Sequence, residues 1–415
     1  MHICVLGAGI AGLACAWELH RQGHEITVVD QGPPGGGTSS ANGAQLSYSY
    51  VAPLADPSIW GQLPHLLLAA DPPLKLRPRV HPQQWRWGLE FLAACNARTA
   101  ADSTARLLAL AALSRAGFEA MRAELAPDCD FSETGKLVLY RNPAGLESAR
   151  RQIDMQRRLG APEQRIVTPA QCTELEPALA HYAREIAGAV YTPSECAADC
   201  LKVCRALADA LQQRGVRFLM GHAVQGFSQR AGRVQAVQTA AGTVEADMFV
   251  MALGNASARL GRQLGAYLPV YPLKGYSITV PVNPAPGAAP AVSVTDTSRK
   301  TVFARLGGRL RVAGMAELTG EDLSIPQDRI DTLIAATKAV FPQAVRDFEM
   351  PQAWAGLRPA TPRGTPIAGR VEGAPANMLF NTGHGALGFT LAFGTAAAIA
   401  HEVGAWEGAA RMQLS

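Results

Sequence analysis

Two glycine-rich segments lie near opposite ends of this 415-residue chain, and both are of a type that brings backbone close to a bound group. Near the start, Gly7-Ala8-Gly9-Ile10-Ala11-Gly12 follows the apolar run His2-Ile3-Cys4-Val5-Leu6. Near the end, Asn381-Thr382-Gly383-His384-Gly385-Ala386-Leu387-Gly388 precedes an apolar helix. In the first segment Gly7 permits a tight strand-to-helix turn, Gly9 lets backbone reach a pyrophosphate, and Gly12 allows close helix–strand packing. Ile10, Leu13, Ala14 and Trp17 fall on one stripe of the following helix, which gives it a face to bury. The next strand, Glu25-Ile26-Thr27-Val28-Val29, ends in Asp30, where a carboxylate can take both hydroxyls of an adenosine ribose. An anion there disfavours a ribose carrying a 2′-phosphate. Strand, turn, helix, strand and terminal acid together predict dinucleotide binding.

The chain has a single fingerprint of this kind, whereas enzymes that pass hydride from a nicotinamide to a flavin commonly need two. FAD is therefore the expected cofactor. Ala246 to Gly254 reads as a short buried strand entered from a β-meander with turns at Ala231-Gly232 and Ala241-Gly242. Val224, Ala252 and Gly254 of this region are expected near the cofactor. The polar loop Thr38-Ser39-Ser40-Ala41-Asn42 suits pyrophosphate and ribityl oxygens, with Ser39, Ser40 and Asn42 as donors and Gln31 beside Asp30. It can also be read as a solvated Gly/Ser loop.

The elements that must hold these segments fit an α/β fold with two domains. A Rossmann-type FAD-binding domain is expected from residues 1–80, 185–262 and 350–415. A substrate domain of antiparallel sheet plus helices is expected from 81–184 and 263–349. Apolar residues make up 48% and charged residues 17%, an ordinary globular balance. A net charge of +4, with no basic run interleaved with aromatics, argues against nucleic acid as a partner. Eight cysteines without paired metal spacing suggest reduced thiols in the cytoplasm and no metal site. Cys196, Cys200 and Cys204 recur every four residues, as along one helix face. No uninterrupted run of about 18 apolar residues is present to span a bilayer. From Trp60 to Phe91, aromatics mix with Lys75, Arg77, Arg79 and Arg86, as on a peripheral membrane surface or in the packed wall of a substrate domain.

Helical patterns are expected at 104–125, 147–159 and 199–214. Strands are expected at 136–140, 216–219, 277–280, 301–304 and 309–313, with a hairpin at Gly307-Gly308. Tyr271-Pro272-Leu273-Lys274-Gly275-Tyr276-Ser277, Val312-Ala313-Gly314-Met315-Ala316-Glu317 and Trp354-Ala355-Gly356-Leu357-Arg358-Pro359-Ala360-Thr361-Pro362 follow in that order, ahead of the Gly383–Gly388 turn. With these motifs the chain resembles the bacterial D-amino-acid dehydrogenase small subunit, in the superfamily of D-amino-acid, glycine and sarcosine oxidases. The likeness covers nearly the whole chain and is weakest over 51–135. It departs from the family's usual pattern at Phe389, at Arg363 and in the alanine count of the 40–43 loop.

The resemblance implies non-covalent FAD and oxidative deamination of a D-amino acid to a 2-oxo acid and ammonia. It also implies electron delivery to a quinone-linked acceptor, with alanine or proline as possible substrates. An oxygen-using oxidase, or a flavin-holding subunit without turnover, are the alternatives. An amino-acid substrate needs a carboxylate anchor, and the Gly-Leu-Arg-Pro arginine does that work in glycine-oxidase relatives. Arg358 is the corresponding candidate, since a guanidinium grips a carboxylate in fixed geometry; a structural salt bridge is the other reading. Tyr276, Met315 and His384 are further catalytic candidates, and Tyr48, Tyr50 and Tyr276 candidate pocket residues. Tyr48 and Tyr50 could equally be core. Lys274 could hold a water or the flavin edge. Gly356, Gly383, Gly385, Ala386, Leu387, Gly388 and Thr390 complete the expected flavin contacts. The helix start after Gly388 would turn its positive dipole end to the flavin N1 and C2=O edge.

Overall fold

The computed structural model describes residues 1–51, 53–57, 59–61, 74–76, 82–348 and 351–414. Leu66 to Leu68, Arg77 and Arg79 lie outside them. The strand His2–Leu6 sits inside a six-stranded sheet, parallel to Glu25–Asp30 on one side and to Met248–Met251 on the other. Arg217–Met220 extends the sheet past Glu25–Asp30; Met378–Thr382 extends it past Met248–Met251, and Ile367–Gly369 is antiparallel at the edge. Ile3, Cys4, Val5 and Leu6 are fully buried, as a parallel strand covered on both faces requires. Ile10–Arg21, Cys200–Gln213 and Gly388–Leu414 cover one face. The meander Val224–Arg230, Arg233–Thr239 and Gly242–Glu245 covers the other. This is a Rossmann-type sheet of mixed α/β class.

The helix Gly388–Leu414 is the apolar one anticipated after the second glycine turn. Counted as uninterrupted residues the sequence holds no span, yet Gly385–Gly408 is long and apolar enough on average to cross a membrane. Its composition has a local cause. It packs against both Ile10–Arg21 and the long helix Ala97–Leu125, and a helix buried on several sides is apolar all round. The crossing is so close that a Cβ at Gly394 would lie 2.1 Å from Leu110 O.

A second, nine-stranded sheet runs in the order Gln352–Ala360, Tyr271–Pro281, Arg309–Leu318, Thr301–Leu306, Ser293–Asp296, Lys136–Tyr140, Gly188–Thr192, Arg165–Val167, with Leu74–Leu76 beside Arg309–Leu318. Three of its strands, Gln352–Ala360, Gly188–Thr192 and Leu74–Leu76, come from stretches that the sequence assigned to the nucleotide-binding part. Unbroken antiparallel pairing, from Tyr271 with Ala360 to Thr279 with Gln352, ties the first into this sheet. Between the pairs Lys274–Glu317 and Tyr276–Gly314 the register slips by one residue. Met315 adopts a φ of 63° there, a β-bulge that re-aims its carbonyl. The helix Gln327–Val340 supports the sheet from behind and was not anticipated.

Local capping explains several boundaries. Asp199 accepts from the N–H groups of Leu201 and Lys202, so the helix starts at Cys200. Cys196 therefore lies not on that helix but in a two-residue strand paired with Leu46. All eight cysteines are buried free thiols, and among the described residues no His, Cys, Asp or Glu cluster could hold a metal ion. The aromatic stretch near residue 85 divides. Trp87 and Phe91 stack in the core, whereas Trp60, Trp85 and Leu89 are exposed.

Candidate active site

A cleft of about 1020 Å³ is lined from both sheets, and it gathers most of the residues singled out by their sequence pattern. Its nucleotide end is formed by Gly9, Ile10, Ala11, Asp30, Gln31 and Val224. The three fingerprint glycines have different physical reasons. A Cβ at Gly12 would lie 1.9 Å from Gly7 O, and one at Gly7 (φ 111°) would lie 2.4 Å from Ala252 O. Both are demanded by the protein's own packing. At Gly9 a Cβ would meet only Ser39 Oγ at 3.5 Å, so the protein tolerates a side chain there and only a cleft occupant would not. Asp30 is rigidly held: Oδ2 accepts from Ala8 N–H at 2.6 Å and Oδ1 from Gly32 N–H at 2.8 Å. Gly7, Ala8, Gly12 and Ser40 underpin this end without lining it.

The polar loop after Asp30 is stitched between the sheets. Ser39 Oγ accepts from Ile10 N–H at the start of the first helix. Ser277 Oγ donates to Ala41 O and Arg311 Nη1 to Asn42 O, while Gln45 Nε2 donates to Val294 O and Phe303 O. Ser47 N–H donates to Thr390 Oγ1, joining the loop to the last helix. Ala252, Gly254 and Gly356 also line the cleft, beside Gly385, Ala386, Leu387, Gly388 and Thr390. Gly383 stands behind them: its φ is 79°, and a Cβ would press on Thr361 Cγ2 at 2.5 Å.

The substrate wall holds fewer of the anticipated groups than expected. Arg358 lines it, and Nη1 donates to Met315 O at 2.9 Å. Among the described residues no carboxylate pairs with this guanidinium, and burial lowers its pKa to about 10. A Cβ at Gly275 would sit 2.2 Å from Nη2, so the guanidinium lies flat over a glycine that leaves it room. Met315 thus contributes its carbonyl through the bulge, and its residue lines the wall.

Tyr276 lines the wall too, but its hydroxyl donates to Glu317 Oε2 at 2.9 Å, and Glu317 pairs with Arg329 at 2.8 Å. Burial and that carboxylate push the phenol well up, so it keeps its proton, which it gives to the hydrogen bond with Glu317. Lys274 is fully buried on Asp322 and does not line the cleft. His384 gives its Nε2 to Thr395 Oγ1 at 3.0 Å, and burial lowers its pKa to about 4. The imidazole is therefore neutral, and His384 lines the cleft beside Gly385. Tyr50 lines the cleft, whereas Tyr48 points into the core under Arg115. Simple strand alternation would put residues two apart on one side; the irregular backbone of this loop separates the two rings instead.

Several lining residues escaped sequence reasoning. His222 and Arg259 lie at the nucleotide end, and Trp354, Gln45, Thr295, Lys300 and Lys136 elsewhere. For Lys136 a signal existed: in Lys136–Tyr140 it shares a face with Val138 and Tyr140, in a strand otherwise too apolar for an exposed edge.

The glycine fingerprint, the held Asp30 and a Gly9 that only a ligand requires fit an adenine dinucleotide. Comparison with known proteins agrees. Residues 2–402 match the family described as FAD dependent oxidoreductase, DAO. This chain belongs to that family. It is 46% identical to D-amino acid dehydrogenase 2 of Ralstonia nicotianae, over 96% of both chains. It is 44% identical to D-amino acid dehydrogenase 2 of Pseudomonas aeruginosa, over 97% of this chain and 94% of the relative. The fold is shared with glycine oxidase of Geobacillus kaustophilus (TM-score 0.75, 22% identity, 97% of this chain and 94% of the other). It is also shared with L-proline dehydrogenase of P. horikoshii (TM-score 0.75, 18% identity, 97% and 92%). FAD is the cofactor of the family. In this member Gly9, Asp30, most of the 38–47 loop and the turn 385–388 line one cleft.

Proposed function

We propose that the protein oxidatively deaminates D-amino acids to 2-oxo acids and ammonia, with electrons passing to a quinone or another acceptor that is not oxygen. The observation that carries this reading is Arg358: a cation with no carboxylate partner among the described residues, held over Gly275 and on Met315 O in the cleft that bears the nucleotide fingerprint. FAD, when bound, supplies the two-electron acceptor for the hydride that leaves Cα. The chain's own contribution is placement. Arg358 takes the α-carboxylate through two parallel N–H···O bonds, which restores the counter-charge that burial denies it. Met315 O fixes the guanidinium plane, so Cα is presented in one orientation.

No side-chain base is assigned. His384 is neutral and engaged with Thr395, and the Tyr276 phenol is held on Glu317. Once the substrate amine is neutral, its lone pair can drive hydride departure, giving an imino acid that water hydrolyses. Preference for the D-isomer rests on the activity named for the two relatives above. Peripheral contact with the inner face of a cytoplasmic membrane is part of the proposal, supported by the exposed Trp60, Trp85 and Leu89, the last two flanking Arg86 on one helix.

The test is anaerobic bleaching of the bound flavin by matched D- and L-amino acids, followed by dye reduction under argon and a peroxide assay in air. D-isomers should bleach it and reduce the dye with little peroxide. Failure of every amino acid, imino acid and N-methyl amine to bleach it would overturn the reading. Stoichiometric peroxide would make it an oxidase.

A further inference from the structure

Lys136 is used by nothing in the reaction above, yet it opens the strand Lys136–Tyr140 with its side chain buried to 3% exposure and lining the same cleft as Arg358. An ammonium has three N–H donors. One goes to Ser47 Oγ at 2.8 Å, and the Tyr50 ring lies 4.5 Å from Nζ. Tyr50 in turn shares a hydrogen bond with Tyr140, so its ring is not free to move aside. Glu195 acts on Lys136 only at a distance: its Oε1 accepts from Ser49 N–H at 2.7 Å, and the two form no ion pair among the described residues. Burial without a close counter-charge lowers the lysine to about 8, so it is largely cationic at neutral pH. A buried cation with donor capacity to spare is costly unless something in the cleft meets it.

The sheet says how far this cation is from the clamp. Lys136–Tyr140 lies three strands from Arg309–Leu318, which carries Met315, roughly 14 Å across the sheet at about 4.8 Å per strand. By the register Gly314–Thr301–Asp296–Leu139, Lys136 is also displaced about four residues along the strands, so the two backbones are roughly 19 Å apart. Val302 and Thr295, on the two intervening strands, are register partners and line the same cleft. The floor between clamp and lysine is therefore continuous. An alanine methyl stops far short of that span. The side chain of glutamate or glutamine, with hydrogen bonds of about 2.8 Å at either end and the stems of Arg358 and Lys136 reaching in from their strands, comes closer to bridging it.

We infer that Lys136 is a specificity-determining residue that favours D-amino acids whose side chain ends in a carbonyl or carboxylate oxygen. This rests on the D-amino-acid reading above and deepens it. Ser47 and Tyr50 hold the ammonium in place, and Thr295 adds a hydroxyl on the way.

The experiment compares kcat and KM for D-glutamate, D-glutamine and D-alanine, with a dye acceptor, in the wild-type holoenzyme and in Lys136→Met and Lys136→Arg. In Lys136→Met, kcat/KM for the two longer substrates should fall at least tenfold through KM. D-alanine should change less than threefold, FAD content should be unaltered, and Lys136→Arg should recover part of the loss. Flavin absorbance titrated with glutarate and with butyrate gives a readout without turnover: Lys136→Met should weaken glutarate at least tenfold and leave butyrate alone. If Lys136→Met loses FAD, Lys136→Gln replaces it. An equal fall for all three substrates, or no fall for the longer two, overturns the inference. If the wild type oxidises no amino acid, the activity reading has failed, and the glutarate titration still judges the lysine.

Discussion

The two ends of the cleft are built by opposite means. The nucleotide end is made of backbone: glycine turns, a helix start, and one carboxylate pinned by Ala8 and Gly32 N–H groups. The substrate wall is made mostly of groups carried on strands far apart in sequence, with Arg358, Met315 and Lys136 meeting only through sheet register and Tyr50 brought to them by its loop. The first kind of site is specified within a few dozen residues and tolerates almost no change. The second can alter one side chain at a time while the cofactor stays bound.

Substitution can break that contrast, and the largest effects should come at the nucleotide end. Gly12→Ala places a methyl against Gly7 O, a backbone atom that cannot move aside, and should yield poorly folded, colourless protein. Gly9→Ala should fold with an unchanged far-UV spectrum yet purify with little FAD, because only the ligand objects to its Cβ. A normal flavin content in Gly9→Ala would refute the division of labour among these glycines. Next comes Arg358→Met, which removes a charge-assisted bidentate contact worth about 3 kcal/mol or more, so KM should rise roughly a hundredfold or beyond with flavin retained. Arg358→Lys should restore little, since a point charge lacks the fork.

Gly275→Ala is the finer probe of the wall. Its methyl would collide with a movable guanidinium rather than with backbone, so we expect a stable, yellow enzyme with KM raised about tenfold. The smallest effect on rate belongs to His384→Gln, within about threefold in kcat at pH 7.5. Its signature lies in stability. His384 stays neutral in the folded protein down to about pH 4, while in the unfolded chain it takes up a proton near its ordinary value of about 6.5. Between those values the unfolded state binds more protons, so stability is intact above pH 6.5 and declines as pH falls toward 4, by about 3 kcal/mol at most. Urea midpoints at pH 7.5 and 5 should fall less in His384→Gln than in the wild type.

The same contrast decides what could be read from the chain. The turn at Gly7–Gly12 and the acid at Asp30 are legible because strand, turn and helix are consecutive and each residue answers to its neighbours. Ala252 and Gly254 were legible for the same reason, at the end of a short buried strand. The bulge at Met315 was not, since it exists only relative to Gly275 forty residues earlier. Tyr48 and Tyr50 could be told apart only by knowing which side of their loop faces the cleft. His384 lines the cleft, as its place between glycines suggested, but nothing local reveals Thr395 beneath it. Arg358 was recognisable from its motif, but its flat seat on Gly275 came only with the pairing of two distant strands.

The helix Gly388–Leu414 is wedged between the first helix and the long one, and the strand before it lies against Met248–Met251. A ribosome must therefore release nearly the whole polypeptide before the groove for the yellow cofactor closes. Since 385–388 line the cleft, a product clipped before Met378 should purify pale.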